Sequence, residues 1–348
     1  MKYKQASLAG FSCVLPENIV RSEDLERELQ PIYQRLHLPE GRLELMTGIQ
    51  ERRFWNPGTI PSDVSTQAAQ KLLKQTGIPA DKIGCLIHCS VSRNFVEPAT
   101  STVVHGNLKL RGSCMNFDIS NACLGVVSGI MMLANMVELG QIEYGLAVSG
   151  ENGGPLVKNT IKKLNADLSI TRKSIKDQFA SLTIGSAATA VLVCRHDLFP
   201  GAHRILAAES YSDCTGNELC QGDANGGMTD DSAPLMATDS HVLMVKGIAV
   251  AKKMWERLKK ETPWTNETVD LVCGHQVGRV HRNLLFQELG LPVEKDYPSF
   301  PFMGNCGSAS LPATTALAAE SGALKPGMHL AMLGIGSGIN SSGLSVIW

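Results

Sequence analysis

The chain has 348 residues, 43% of them hydrophobic, and a formal net charge of −1. This length and apolar content supply a core too large for one small domain. The mixed, nearly balanced charge excludes a broad nucleic-acid or anionic-membrane surface.

The N-terminus reads "MKYKQASLAGFSCVLPEN". Its mildly apolar run is too short and broken for a signal peptide, and "QASLAGFSCVLP" reads as a first strand. No segment reaches the roughly 20 apolar residues that span a bilayer, so a cytoplasmic protein with no integral membrane segment is expected. The 10 cysteines are scattered and several lie inside apolar runs. They read as free thiols of a reducing compartment, not a disulfide frame. "CLIHC" (85–89) reads as a strand, which points alternate side chains to opposite faces and disfavours a zinc site there. No metal and no resident cofactor are expected.

At 117–126 the chain reads "FDISNACLGV". Asn121 suits a helix N-cap, which places Cys123 in a first turn, where free amides and the dipole favour a thiolate and lower the thiol pKa. Gly125, Ser128 and Gly129 cost helix propensity, so close backbone packing around the thiol is the expected reason for them. The bland alternative is a small buried hydrophobe. Residues 151–180 are polar and helix-prone and read as a cap or lid. Residues 208–240 read as loops or a hairpin, and 240–260 as an amphipathic helix with a basic C-terminal end.

Strands alternate with helical patterns, which predicts an α/β fold. The pattern also repeats. "KIGCLIHCSV" (82–91) is echoed by "TVDLVCGHQV" (268–277), and "LGQIEYGLAVSG" (139–150) by "SGALKPGMHLAMLGIGSG" (321–338). Laying the second pair in register sets Cys123 over Asn305, each after an expected strand, "MNFDIS" and "PSFPFM". His275 ends the other repeated strand. Two similar halves, 1–175 and 176–348, are expected around a pseudo-twofold axis, with Cys123, His275 and Asn305 at one cleft. His275 then serves as proton partner or oxyanion donor, and the Asn305 amide as a second donor; alone, His275 reads as a core histidine and Asn305 as an N-cap. "GIGSGINSSG" (334–343) is not a dinucleotide loop, because too few residues follow for a βαβ unit. Its value is exposed amides, with the Ser337 N–H as an oxyanion-hole donor beside that of Cys123.

Cys123, His275 and Asn305, in that order, resemble the thiolase superfamily, and within it the ketoacyl-acyl-carrier-protein synthase III-like condensing enzymes. "LMTGIQERR" (45–53), "FDISNACLGV", "TIGSAATAVLV" (183–193), "GHQVG", "GNCGSAS" and "GIGSG" each match a motif of that family. The resemblance implies a five-layered α-β-α-β-α fold, with 183–193 as the strand that begins the second half. The histidine motif departs from the family's usual His-Gln-Ala-Asn, reading His275-Gln276-Val277-Gly278, and the glycine turn lacks the second cysteine of true thiolases. "SVSRNFVEPATST" (90–102) matches the segment that crosses the dimer into the neighbour's acyl pocket. Glu97 stands where synthase III enzymes usually carry an apolar residue. It is similar to the acyl-CoA condensing enzymes of head-to-head olefin biosynthesis, the OleA type, whose glutamate acts as base from the partner subunit.

The resemblance implies an acyltransferase, a homodimer, that joins two acyl-CoA thioesters by Claisen condensation through an acyl-Cys123 intermediate. The alternatives are a decarboxylating 3-oxoacyl synthase III using malonyl-acyl-carrier protein, or a related specialised-metabolism enzyme. A non-catalytic partner subunit and a papain-like protease are disfavoured by the intact triad and the terminal glycine turn. Arg52, Arg53, Trp55 and Arg279 are the candidate CoA contacts.

Overall fold

The structure is a computed structural model, and it describes residues 1–222 and 235–348. The expectation for 208–240 therefore lies partly outside the described residues. In chain order the strands are β1 (Ala6–Val14), β2 (Asn18–Arg21), β3 (Glu51–Phe54), β4 (Ile83–His88), β5 (Met115–Asp118), β6 (Tyr144–Glu151), β7 (Ala187–Arg195), β8 (His203–Ser212), β9 (Cys220–Gly222), β10 (Met236–Thr238), β11 (Leu271–Gly274), β12 (His329–Gly336) and β13 (Asn340–Ile347). The helices are α1 (Ser22–Glu28), α2 (Gln30–Arg35), α3 (Arg42–Thr47), α4 (Pro61–Thr76), α5 (Thr100–Asn107), α6 (Gly125–Glu138), α7 (Gly154–Ala166), α8 (Ser240–Glu261), α9 (Arg279–Leu289), α10 (Phe300–Met303) and α11 (Ser310–Glu320).

Nine strands join in the order β11-β12-β13-β8-β1-β7-β6-β4-β5. The order is one pattern used twice. In the first half, β4 runs parallel between β5 and β6, and β7 is antiparallel to both β6 and β1. In the second, β11 is parallel to β12, and β13 is antiparallel to both β12 and β8. Two antiparallel pairs, Ser7 with Arg204 and Leu8 with His203, join β1 to β8. The repeat read from the sequence is therefore real at β4 and β11 and at β6 and β12. Two details differ. Of the expected strand 183–193, residues 187–193 lie in β7 between β1 and β6, so it closes the first half, and the pattern divides the chain at 196–202 rather than at 175. "PSFPFM" forms no strand: Pro301 has no N–H for a ladder, and the N–H groups of Ser299 and Phe300 donate to Gln276 Oε1 at 2.7 and 3.0 Å. All that remains of the counterpart of β5 is a parallel bridge between Val272 and Asp296.

The five expected layers are present. α4 packs on the outer face of β1, β6 and β7, and α8 on that of β8, β12 and β13. Between the half-sheets lie α6, against β4, β6, β7, β1 and β13, and α11, against β1, β7, β11 and β12. Strand β4 shows why its side chains are apolar on both faces: Cys85 and Ile87 join the central core, while Ile83 and Leu86 join the layer under α4. This double burial is what parallel strands between helical layers require. α7 and the turns after it pack on α1 to α3 through Leu25, Ile32, Tyr33, Val157, Ile161 and Leu164, so 151–180 is a packed cap. α8 begins at Asp239, whose side chain accepts from the Val242 N–H at 3.1 Å, and carries Lys259 and Lys260 in its last turn, as expected. No described helix is long and apolar enough to cross a membrane. All ten cysteines are free, and no metal-binding cluster occurs among the described residues.

The central helix α6 sits close enough to β4 to exclude side chains. A methyl group on Gly125 would lie 2.0 Å from the Cys89 carbonyl oxygen, and one on Gly129 would lie 2.6 Å from Cys89 Sγ. Gly125→Ala should therefore cost about 1–3 kcal/mol or more, because backbone has to move. Denaturant unfolding checks this, and an unchanged midpoint would refute the close contact.

Candidate active site

Cys123 is the middle residue of a short 3-10 turn, Ala122–Leu124, that leads into α6. The turn begins at Ala122 with φ 43°, a left-handed conformation that a non-glycine residue adopts at a cost of about 1–3 kcal/mol. Asn121 does not cap the helix with its side chain. Its Nδ2 donates to Ser128 Oγ at 2.9 Å and its Oδ1 accepts from Asn340 Nδ2 at 3.3 Å. The same Asn340 Nδ2 reaches the Ser337 carbonyl at 3.4 Å. Asn340 thus ties the glycine turn after β12 to the residue two before the thiol. The Leu124 side chain packs against Gly334 and Gly336, and a methyl on Gly336 would stand 3.6 Å from the Cys123 nitrogen. Glycine keeps that space clear. The turn runs straight into β13, so the rejection of a dinucleotide loop holds.

His275 directly follows β11, and its N–H donates to the Leu333 carbonyl of β12 at 2.9 Å. It is buried, and its Nδ1 has no hydrogen-bond partner among the described residues. Burial, with His281 beside it, pushes the imidazole down to about 3, so it is neutral at pH 7. Asn305 is stitched to the end of the cap: its N–H donates to the Thr183 carbonyl at 2.9 Å and its carbonyl accepts from the Gly185 N–H at 2.8 Å. Its Oδ1 accepts from the Gly307 N–H at 3.0 Å, which leaves the amide nitrogen to donate. The bland reading, a helix-capping asparagine, and the functional one use opposite ends of one side chain. The 3-10 turn that follows, Gly307–Ala309, packs on the turn of Cys123. These two turns are the counterparts in the repeat, each opening a central helix, so Cys123 corresponds to Ser308 and not to Asn305.

The expected low thiol pKa is not found. Burial pushes the Cys123 thiol up to about 12, with Cys220 and the Glu151 carboxylate adding to the rise and its own backbone N–H opposing it. In the resting site the thiol and the imidazole are both neutral. Glu97 lies exposed in the loop 91–99 between β4 and α5.

Most of the candidate CoA contacts are elsewhere engaged. Arg52 is buried and donates to Ser22 Oγ and the Leu182 carbonyl, and burial lowers its guanidinium to about 10. Arg53 donates to the Pro16 carbonyl and pairs with Glu51. Trp55 packs under α4's layer, and its Nε1 donates to the Glu151 carbonyl at 2.9 Å. Arg279, at the start of α9, donates from Nη2 to the Leu45 carbonyl at 3.4 Å but is the one of the four that stays exposed. Sequence reasoning missed Asn121 as a bridge, Asn340, and Glu151. Glu151 ends a long apolar strand, and that position was the one available signal for it.

The family described as 3-oxoacyl-[acyl-carrier-protein] synthase III C terminal matches residues 260–348. Acyl-CoA:acyl-CoA alkyltransferases of Shewanella oneidensis and Xanthomonas campestris pv. campestris are 37% and 35% identical to the chain, over 100% of both partners in each case. The beta-ketoacyl-[acyl-carrier-protein] synthase III of Chlorobaculum tepidum is 25% identical over 99% of each chain. The crystal structure of cerulenin-bound Xanthomonas campestris OleA superposes with a TM-score of 0.93 at 35% identity, over 100% of this chain and 98% of that one.

With its thiol raised, Cys123 should react with iodoacetamide slowly at pH 7 and about tenfold faster per pH unit through pH 10, with no plateau near the ordinary thiol pKa of about 8.5. A plateau below pH 8, followed by mass spectrometry of the Cys123 peptide, would show a thiolate stabilised in the resting site.

Proposed function

Since the chain belongs to the acyl-CoA:acyl-CoA alkyltransferases, thiolase-fold relatives of the 3-oxoacyl synthase III enzymes, we propose that it joins two acyl-CoA molecules to a β-ketoacyl product through acyl-Cys123. The observation that carries this reading is the full-length likeness to those alkyltransferases together with a carboxylate at Glu97. The likeness to the decarboxylating synthases is weaker, and those need no base at that place.

The first half-reaction moves an acyl group from sulfur to sulfur. The Cys123 sulfur attacks the thioester carbonyl carbon and its proton passes to neutral His275. The oxyanion is held by the N–H groups of Cys123 and Ser337. Collapse expels the CoA thiolate, which takes the proton from His275. In the second half-reaction the thioester oxygen of a second acyl-CoA lies against His275 and Asn305 Nδ2. Glu97 of the partner subunit removes the α-proton, and the two donors hold the enolate. The α-carbon attacks the acyl-Cys carbonyl, a carbon–carbon bond forms, and the Cys123 thiolate leaves; it takes up one proton from solvent as Glu97 gives the α-proton back to solvent. A carboxylate is a weak base for a carbon acid, so the fixed donors and the juxtaposition of two thioesters supply most of the acceleration.

The dimer is supported by surface chemistry. The loop of Glu97 exposes Val91, Phe95 and Val96 at 58, 43 and 67%, and the adjoining edge strand β5 exposes Met115 at 54%. An apolar loop beside an unpaired strand edge is a surface that a second copy covers, and in a twofold dimer each subunit would give its loop to the other. Arg279, the exposed one of the four candidates, is the residue we assign to the CoA phosphates.

Glu97→Gln should still form acyl-Cys123 from one acyl-CoA while condensation falls at least about 100-fold, the scale of a lost general base. Product formation from two acyl-CoAs should release no carbon dioxide. Condensation by Glu97→Gln near the original rate would remove Glu97 as the base, and a requirement for carboxyl-labelled malonyl thioester with loss of label would favour the decarboxylating reaction.

A further inference from the structure

Glu151 closes β6 and is 5% exposed. A buried carboxylate without donors would be costly. This one has four: Oε1 accepts from the Val91 N–H at 2.9 Å, the Ser308 N–H at 3.2 Å and Ser308 Oγ at 2.8 Å, and Oε2 accepts from the Ser92 N–H at 3.0 Å. The mechanism above makes no use of them.

The repeat explains how a carboxylate comes to be held there. β6 and β12 are equivalent strands of equal length, so Glu151 is the counterpart of Gly336, as Ser308 is of Cys123. Each central helix opens with a turn whose N–H groups suit an anion. At Cys123 the strand ends in glycine, and the space beside the nitrogen is left open. At Ser308 the strand ends in Glu151, and its own carboxylate fills the corresponding place. One half of the fold keeps its anion site for a reacting oxygen. The other half has turned the same site into an anchor.

What the anchor holds is the start of the loop that carries Glu97. Val91 and Ser92 stand at the mouth of that loop, and Ser92 Oγ also accepts from the Asn152 N–H at 3.1 Å. Farther along, Asn94 exchanges hydrogen bonds with Ser62, and Asp118 accepts from the N–H groups of Thr100 and Ser101 at 2.8 Å. Those contacts stay within the first half, whereas Glu151 ties the loop to the first turn before α11. We propose that Glu151 is a positioning residue, which uses the anion-binding turn of Ser308 as a fixed point and sets the path of the 91–97 loop so that Glu97 reaches the partner subunit's site. The proposal rests on the reading of Glu97 as a base given across the dimer.

Glu151→Asp keeps the charge and shortens the reach. In the full-length dimer it should leave acyl-Cys123 formation within about threefold and lower condensation by about 100-fold, the scale of a misplaced catalytic group. Amide hydrogen exchange at Val91 and Ser92 should quicken at least about tenfold as local opening becomes easier. Ser308→Ala, which removes one donor to Glu151 and the contact of Ser308 Oγ with Ser149 Oγ at 2.9 Å, should move both readouts the same way by less; if Glu151→Asp does not fold, this variant decides. A mixed dimer of a Glu151→Asp subunit with a Cys123→Ser subunit supplies the intact cysteine with an intact loop, and should condense as well as a mixed dimer of wild type with Cys123→Ser. A mixed dimer of Glu97→Gln with Cys123→Ser is the control for the base. Unchanged exchange at Val91 and Ser92 overturns the proposal, and so does a Glu151→Asp mixed dimer that stays inactive while the Glu97→Gln one recovers. If Glu97→Gln alone condenses normally, it is the base reading that fails, and the exchange rates still decide whether Glu151 anchors the loop.

Discussion

The constraint on which the rest depends is the close approach of two buried helices to the sheets around them. α6 and α11 lie between two half-sheets, and their opening turns meet at the centre. The approach is possible because glycines stand where backbones touch. A side chain at Gly125 would strike the Cys89 carbonyl, and one at Gly185 would come within 2.0 Å of the Met303 carbonyl. The packing of the opening turns of α6 and α11 on each other joins the two halves. It fixes two helix starts, two glycine or glutamate strand ends and two short turns within one layer, at the atomic precision that acyl transfer requires.

The same burial sets the electrostatics. It raises the Cys123 thiol and lowers the His275 imidazole, so the resting pair is uncharged and the interior holds no unpaired ion there. In the proposed mechanism charge arises only during reaction, where preorganised N–H and amide donors would meet it. Such donors strengthen toward a developing oxyanion and give a resting thiol little help, which favours rate over substrate binding. A carboxylate this near the nucleophile would be a liability for a thiolate; Glu151 is tolerated because its oxygens are spent on four donors.

Much of this was legible in the residues. The apolar runs around Cys85 and Cys273 gave strands buried on both faces, and their echo gave the two halves. Gly125 and Gly129 announced close packing by being poor helix formers. Cys123, His275, Asn305 and Ser337 were singled out by a helix start, the repeat and a terminal glycine turn, and their roles belong to the proposed mechanism. What was hidden depended on three-dimensional register. A few residues of difference between the connecting loops misplaced Cys123 over Asn305, when the turns pair it with Ser308. Arg52 and Trp55 look like surface contacts in a string of letters, whereas β3 turns Arg52 inward and Trp55 packs half-buried under α4's layer. The thiol pKa was misjudged because a helix start was visible in the sequence and the depth of the site was not. What holds Glu151 was hidden for the same reason, since its donors come from segments about 60 and 157 positions away.

The central claim is that two carbonyl groups are held side by side, one by the N–H groups of Cys123 and Ser337 and the other by His275 and Asn305. A crystal structure of the dimer acylated on Cys123, with an unreactive amide analogue of acyl-CoA (NH in place of the thioester sulfur) in the second site, tests it most directly. The account predicts the acyl oxygen within about 3 Å of the nitrogens of Cys123 and Ser337, and the analogue's carbonyl oxygen against His275 and Asn305 Nδ2. An acyl oxygen turned away from Ser337, or an analogue whose carbonyl meets neither His275 nor Asn305, would contradict it.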